Sequence, residues 1–267
     1  MLGTIIGDIA GSRFEGKKEI PEGFEFFHED SHFTDDTVHT IAVADAVFQS
    51  KTEETDLKTN TIRCLQEYGR RYMWCGCGDM FYKWVFQENP KPYNSFGNGA
   101  AMRISPVAWS EKHHWSAVEK ARIVTDVTHN HSDSINGACA VTTAIWLAKK
   151  HKTKKQIINA IRMMYRITIP AYETLTRGEF DVTCKGTVQK ALSAFIASES
   201  FEDCVRKAIM LGGDTDTTAA VAGSIAEPFY GIPEEMQNLA IAKLDEYLQN
   251  KLKQVSAIKD IKPKRTF

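Results

Sequence analysis

Helix-type spacing of apolar residues recurs along almost the whole sequence, whereas the alternation typical of strands is nearly absent. Helical patterns cover residues 2–14, 35–48, 53–72, 80–86, 116–128, 134–150, 154–167, 186–198, 201–211, 215–227 and 233–249. The one candidate strand is 24–27. No linker and no repeat of about 20–50 residues interrupts the series. We therefore predict an all-α fold in which residues 1–267 form a single compact domain, with a frayed basic tail at 260–267.

The charge balance limits the classes of function. Lys and Arg number 33 against 34 Asp and Glu, and this net charge of −1 argues against electrostatic binding of nucleic acid or a membrane surface. The longest apolar run, 137–148, is too short to span a bilayer. No basic stretch precedes an apolar one at the start, so we expect no signal peptide. Six scattered cysteines without a secretory context favour reduced thiols and a cytoplasmic location.

Two blocks of acids and hydroxyls, far apart in the sequence, each precede an apolar helical run: 33–37 and 212–220. One interpretation is helix capping, because Thr and Asp complement the positive end of a helix. However, each block holds more acids than one cap uses, and carboxylates near a core repel one another unless a cation neutralises them. Oxygen ligands suit Mg²⁺ or Mn²⁺ better than soft metals. We predict that folding brings the two blocks together around one or two such ions.

Three further stretches carry polar chemistry. The glycines of 95–103 permit a close backbone approach to an anion, with Ser95 as an extra donor, although Asn-Gly is also a common tight turn. In 128–133 two histidines lack the partners that zinc would need, so His129 is interpreted as a ligand-positioning or structural residue. Cys75-Gly76-Cys77 lacks the usual zinc-knuckle spacing and is interpreted as small residues in a turn.

Taken together, these blocks resemble the ADP-ribosylglycohydrolase family. The matching stretches follow the family's order: Ile6-Gly7-Asp8 through Glu15, 33–37, 97–103, Thr128-His129 and 212–217. The two acidic blocks and the Gly97-to-Arg103 block are specific in combination. The resemblance implies an all-α, orthogonally packed multi-helix fold with a binuclear Mg²⁺ centre, which Mn²⁺ could also occupy. It also implies hydrolysis of the glycosidic bond between ADP-ribose and an acceptor.

The resemblance further implies roles for individual residues. The metal ligands would be Thr34, Asp35, Asp36, Asp214, Asp216 and Thr217. The diphosphate would lie on Gly97, Asn98, Gly99 and Ala100, with His129 near the bound ADP-ribose. Glu15 falls where the family has a mobile acid near the bond that is cleaved. Either Asp36 or Glu15 could take the proton of the attacking water, so acid and base stay unassigned.

Two departures bear on the substrate. The chain is compact for the family, and 74–79 carries two cysteines in a stretch that is normally Gly-rich and aromatic. The acceptor is therefore open among an arginine nitrogen, a serine oxygen, a nucleobase and a small molecule. Hydrolysis of another nucleotide-sugar or of a ribose phosphate is an alternative, as is a non-catalytic scaffold, which the complete set of ligand positions disfavours. We expect a monomer that binds ADP-ribose or an ADP-ribosylated substrate.

Overall fold

The computed structural model describes residues 1–256 as helices joined by loops. The α-helices are α1 Leu2–Ser12, α2 Asp35–Thr52, α3 Leu57–Arg71, α4 Asp79–Val85, α5 Gly99–Met102, α6 Ser105–Ser110, α7 His114–Asp126, α8 Ser132–Lys149, α9 Lys154–Tyr165, α10 Cys184–Ala197, α11 Phe201–Ile209, α12 Thr215–Tyr230, α13 Glu234–Ala242 and α14 Glu246–Ser256. Within this range the extended pairing is limited to an isolated bridge between Gly97 and Thr183. The all-α prediction is confirmed. The predicted tail at 260–267 lies outside the described residues.

The predicted strand at 24–27 is wrong. Phe24 and Phe26 are buried, and the guanidinium of Arg206 lies over both rings. The carbonyl of Phe24 accepts a hydrogen bond from Arg206 at 2.7 Å, and that of Glu25 accepts one from Arg13 at 2.7 Å. The alternating aromatic residues therefore hold a loop against the core. Its backbone carbonyls accept hydrogen bonds from arginine side chains, whereas those of a strand would accept them from a neighbouring strand.

The predicted helix at 233–249 is divided in the structure into α13 and α14. Asp245 stands between them, and its carboxylate accepts from Leu248 N at 2.8 Å and from the Tyr72 hydroxyl at 2.7 Å. Lys243 donates to the carbonyl of His28 at 2.6 Å. These contacts stabilise the break, because Asp245 caps α14 while it holds the distant Tyr72.

The packing of α1 on α12 positions the centre of the molecule. A Cβ atom on Gly7 would lie 2.1 Å from the carbonyl oxygen of Ala219, and one on Gly3 would lie 2.2 Å from that of Gly223. The two backbones therefore touch, which only glycine at these α1 positions allows. Every residue of α1 from Gly3 to Ser12 is buried, including Asp8. As a result, an ionisable side chain from α1 lies in the core beside the start of α12.

The apolar core is continuous across the helices, with α12 packed against α1, α8, α10 and α11, and α2 packed against α3, α6 and α14. Both α2 and α12 begin in the interior, since their first turns contain buried residues. In the part of the chain that is described, every helix is too short or too polar to cross a bilayer. The fold thus brings two buried helix starts to the same region.

Candidate active site

The start of α2 is capped from α1. Thr34 is the N-cap residue, and the buried Asp8 accepts from Thr34 N at 3.0 Å, from Thr34 Oγ1 at 2.7 Å and from Thr37 N at 3.0 Å. Asp8 therefore satisfies backbone donors that a helix start leaves open. Capping by Asp8 and Thr34 leaves the carboxylates of Asp35 and Asp36 available for another role, which weakens the interpretation of this block as a cap alone.

The start of α12 depends on two glycines. Gly212 and Gly213 have positive φ angles of 68° and 76°, and a Cβ atom on Gly213 would lie 2.2 Å from the carbonyl oxygen of Glu179. The tight turn places Asp214 before the helix, where its Oδ2 accepts from Asn98 Nδ2 at 2.5 Å. One turn into α12, Thr217 Oγ1 donates to Asp36 Oδ2 at 3.0 Å. This hydrogen bond joins the two acidic blocks directly.

Three carboxylates meet between these helix starts. Asp8, Asp36 and Asp216 each offer an oxygen, and these oxygens all lie within 4.8 Å of one another. The three side chains are almost fully buried, with exposed fractions of 0%, 1% and 4%. One oxygen of Asp36 and one of Asp216 have no hydrogen-bond partner. We call Asp8, Asp36 and Asp216 the oxygen cluster.

Burial sets the protonation of the oxygen cluster. It raises the pKa of Asp36 and of Asp216 well above the ordinary value, and that of Asp8 to a smaller degree, because a carboxylate loses hydration inside the protein. The neighbouring carboxylates raise the pKa of Asp36 and Asp216 further. A divalent cation would reverse both effects. Unpartnered carboxylate oxygens without nitrogen or sulfur among them are the donors that Mg²⁺ and Mn²⁺ prefer, so such an ion fits here.

Asp8 was not assigned a role from the sequence. The available signal is a lone acid between apolar residues in the middle of a glycine-containing helix. A buried acid rarely stands there without a partner. The sequence does not identify the hydrogen-bond partners of Asp8, because the backbone of α2 comes near Asp8 only when α1 and α2 pack together.

The oxygen cluster borders a cleft of about 400 Å³. Its walls include most of the predicted site residues, namely Glu15, Thr34, Asp35, Ser95, Gly97, Asn98, Gly99, His129, Asp214, Asp216 and Thr217. Asp36 and Ala100 are each 1% exposed and lie behind this surface. Volumes of about 300–1,000 Å³ are usual for small-molecule sites, so the cleft can take part of a nucleotide.

In the glycine loop at 97–99, two backbone amides that the sequence offers to an anion already donate hydrogen bonds within the protein. Gly97 N donates to Ser95 Oγ at 3.1 Å, and Asn98 N donates to the carbonyl of Val182 at 2.9 Å. The Asn98 amide group holds Asp214, as described above. The amides of Gly97 and Asn98 are thus used within the protein, and the loop contributes mainly a fixed surface with little side-chain bulk.

His129 lies directly under this loop. A Cβ atom on Gly99 would come within 3.1 Å of the His129 ring, which explains the need for glycine. Thr128 Oγ1 accepts from Arg103 at 2.6 Å and lies 2.7 Å from His129 Nδ1. Burial, and then the charge of Arg103, hold the pKa of His129 well below its usual range. Because the Thr128 hydroxyl can then donate to Nδ1, we assign the proton of the neutral ring to Nε2, which can donate a hydrogen bond.

Glu15 lies at the rim of the cleft, just after α1. Its pKa is raised by partial burial, and then by the charges of Asp214 and Asp8. A carboxyl group with a raised pKa at the mouth of a cleft holds a proton more readily than an ordinary carboxyl group, and it can exchange that proton with a bound molecule. This position suits an acid or a base that meets the substrate.

A second group of donors lies beside the same cleft. Asp35, His39 and Cys77 each offer one atom, and these atoms lie within 4.8 Å of one another. Asp35 therefore belongs to a different set of side chains from Asp36, its neighbour in sequence. Gly76 has a positive φ of 103° in this loop, and the approach of Cys77 to His39 is not visible from the spacing of the two cysteines. We call Asp35, His39 and Cys77 the thiol cluster.

Comparison with known proteins places this geometry in context. The family model described as ADP-ribosylglycohydrolase matches residues 1–259. The ADP-ribosylarginine hydrolase Tri1 of Pseudomonas putida (strain GB-1) is 26% identical, over 97% of this chain and 79% of that protein. The ADP-ribosylhydrolase ARH3 of Xenopus tropicalis is 25% identical, over 86% of each chain. A solved structure described as an ADP-ribosylglycohydrolase-related protein complex is similar in fold, with a TM-score of 0.77 and 22% identity over 97% of this chain and 95% of that one.

Proposed function

Because the chain belongs to the ADP-ribosylglycohydrolase family, we propose that it hydrolyses the glycosidic bond between ADP-ribose and an acceptor with the help of two Mg²⁺ ions. The observation that carries this proposal is the hydrogen bond of 3.0 Å between Thr217 and Asp36, which joins the two acidic blocks beside a cleft. It brings hard oxygen donors to a place where a substrate can enter.

The residues that would hold the ions are Thr34, Asp35, Asp36, Asp214, Asp216 and Thr217. Asp36 and Asp216 are favoured most, because each keeps a buried oxygen without a hydrogen-bond partner. Asp8 has both of its oxygens engaged by Thr34 and Thr37, so it would hold the start of α2 in place. When bound, the ions would polarise sugar oxygens and lower the pKa of a bound water.

The side chains of the cleft supply the remaining chemistry. Cleavage at the anomeric carbon develops positive charge on the ribose and requires a proton for the leaving group. Glu15 at the rim is the accessible proton donor or acceptor, and the buried Asp36 is the alternative base. His129 can donate a hydrogen bond from Nε2 to the bound ADP-ribose. Ser95 and the segment from Gly97 to Ala100 would accommodate the diphosphate.

The acceptor is proposed from the relatives. The Pseudomonas putida relative is named for ADP-ribosylarginine. We therefore propose an ADP-ribosylated arginine side chain as the first substrate to be tested, with the serine-linked form as the comparison. Large rings stand near the cleft with much of their surface exposed, such as Trp74 at 65% and Phe96 at 54%, and these can contact a peptide around the modified residue.

Release of ADP-ribose from arginine-modified and serine-modified peptides, followed by liquid chromatography with mass detection, tests the proposal. The reaction is run with Mg²⁺, with a chelator, and with Asp216→Ala. We expect release by the wild-type protein with Mg²⁺ only. Cleavage of a free nucleotide-sugar or a ribose phosphate without cleavage of either peptide would assign a different substrate. Binding of ADP-ribose without any turnover would support the non-catalytic scaffold instead.

A further inference from the structure

The thiol cluster contains a thiol and an imidazole, which are donors that hard cations avoid. We propose that Asp35, His39 and Cys77 bind a thiophilic divalent ion of the Zn²⁺ type, in the wall of the cleft and separate in chemistry from the oxygen cluster. The proposal goes beyond the hydrolysis of ADP-ribosyl bonds and rests on the positions of these three side chains.

The backbone brings the three donors together. His39 follows Asp35 by four residues on α2, so the two side chains lie on one face of the helix. The loop that carries Cys77 is fixed to the start of this helix, because Asp35 N donates to the carbonyl of Cys75 at 2.8 Å. The ring of Phe81 packs against the His39 ring with a centroid distance of 4.4 Å. The imidazole therefore has a fixed orientation toward the loop.

The separation of the thiol and the imidazole matches that of a tetrahedral zinc site. Cys77 Sγ lies 3.6 Å from His39 Nε2. In a tetrahedral site with a Zn–S bond of about 2.3 Å and a Zn–N bond of about 2.0 Å, the sulfur and the nitrogen stand about 3.5 Å apart. A carboxylate oxygen of Asp35 completes a trio in which all atoms lie within 4.8 Å of one another. Cys77 lies on the Nε2 side of the ring and Asp35 on the Nδ1 side, so the carboxylate of Asp35 must turn toward Nε2 for the three side chains to share one ion.

Burial and charge favour an ion in this position. His39 is 1% exposed and its Nδ1 has no hydrogen-bond partner, although a carboxylate oxygen of Asp35 lies 3.7 Å away. One carboxylate and one thiolate balance the two charges of a divalent cation. The cluster faces the cleft through Asp35 and His39, so a fourth position is open to water or to another ligand.

Sulfur and imidazole donors distinguish this cluster from its neighbour. Mg²⁺ takes oxygen ligands and rejects thiolate, whereas Zn²⁺ binds Cys, His and Asp side chains together. Asp35 is not part of the oxygen cluster, but it is among the proposed Mg²⁺ ligands, so a zinc ion and a Mg²⁺ ion would compete for it. Zinc in the thiol cluster would therefore remove Asp35 from the Mg²⁺ ions and weaken their binding in the cleft.

Cobalt(II) absorption tests the proposal in the reduced protein with Mg²⁺ in excess. We expect a thiolate-to-cobalt charge-transfer band in the near ultraviolet and strong visible bands of a tetrahedral ion, both removed when Zn²⁺ is added. Cys77→Ser should abolish the charge-transfer band. His39→Gln should lower zinc affinity by more than about 100-fold, since even outer-shell changes at metal sites cost about 10–100-fold. Thermal melting checks that each variant is folded.

Two controls separate this site from others. Cys139→Ser removes a buried thiol of α8 and should keep the band. Asp216→Ala removes a residue of the oxygen cluster and should also keep it. A wild-type protein with only the weak visible bands of oxygen-bound cobalt, or a charge-transfer band that survives Cys77→Ser, would overturn the proposal. Release of ADP-ribose from an acceptor is not a readout of this experiment, so its result is independent of the test of the proposed function.

Discussion

Asp35 and Asp36 are adjacent on α2, yet their carboxylates lie among different kinds of donor atoms. Asp36 is buried against Asp8 and Asp216, and it meets only oxygen atoms within the oxygen cluster. Asp35 lies on the cleft wall and shares the thiol cluster with His39 and Cys77. Successive residues of a helix point about 100° apart. One step along a helix start therefore separates the proposed Mg²⁺ site around Asp36 from the proposed zinc site around Asp35.

The acid that caps the start of α2 is neither Asp35 nor Asp36. Asp8, from another helix, accepts from the backbone of Thr34 and Thr37. A cap supplied from α1 leaves the carboxylates of α2 free to take separate roles. Each of the following variants tests one side of this division.

The largest effect is expected on the oxygen side. Asp216→Ala removes a buried carboxylate that has one oxygen without a hydrogen-bond partner, so Mg²⁺ binding and ADP-ribose release should both be lost. We expect a fall in turnover of more than about 100-fold, as for the loss of one electrostatic group at a reacting centre. Turnover is measured as above, and Mg²⁺ binding by calorimetry. Full turnover by this variant would remove the oxygen cluster from the mechanism.

Glu15→Gln tests the rim of the cleft. Because Glu15 is proposed to move a proton without holding an ion, turnover should fall by about 100-fold or more while Mg²⁺ affinity stays close to that of the wild type. The pH dependence of turnover should also lose the limb that reports the raised pKa of Glu15. A large loss of Mg²⁺ affinity would instead make Glu15 a ligand and extend the oxygen cluster to the rim.

Gly7→Ala tests whether close packing of α1 on α12 holds the oxygen cluster together. The added methyl group would meet the carbonyl of Ala219, so the free energy of unfolding should fall by about 1–3 kcal/mol. Urea unfolding measures this loss, and Mg²⁺ affinity should weaken with it as Asp8 shifts. Gly78→Ala is the control, since a Cβ atom there meets nothing within 4 Å. Equal stability of the two variants would contradict the tight crossing.

The smallest effect concerns pH. Asp36 and Asp216 have raised pKa values in the folded protein, so without metal their contribution to stability is present at low pH and is lost as the pH rises from about 3.8 toward the raised values. Mg²⁺ binds the deprotonated form and offsets this loss. The rise in Tm on adding Mg²⁺ should therefore grow as the pH increases from the ordinary value of about 3.8 through the raised pKa values. A rise that does not change with pH would mean that the ion binds elsewhere.

Much of the fold follows from the sequence, because helix periodicity and local caps act over a few residues. The helices around 35–48, 134–150 and 215–227 are local in this sense, and the structure contains them. The predictions for 24–27 and 233–249 are wrong because the structure of these segments is determined by residues far away in the sequence. Arg206 donates to the carbonyl of Phe24, and Asp245 accepts from the hydroxyl of Tyr72. Neither contact can be predicted from the hydrophobic pattern of the segment itself.

The site divides in the same way. An excess of acids over what a cap requires indicates the blocks at 33–37 and 212–220, and the structure brings them into contact. The capping role of Asp8 could not be read from the sequence, because it exists only after α1 and α2 pack. The same holds for Cys77, whose position beside His39 depends on the hydrogen bond between Asp35 N and the carbonyl of Cys75.

Anomalous diffraction from crystals soaked in Mn²⁺ tests the central claim most directly. Manganese replaces Mg²⁺ at oxygen sites and scatters anomalously, so its position is seen without reference to activity. The account predicts anomalous peaks between the carboxylates of Asp36 and Asp216, at coordination distances from both. Crystals with saturating Mn²⁺ in which these two carboxylates hold no peak would contradict it.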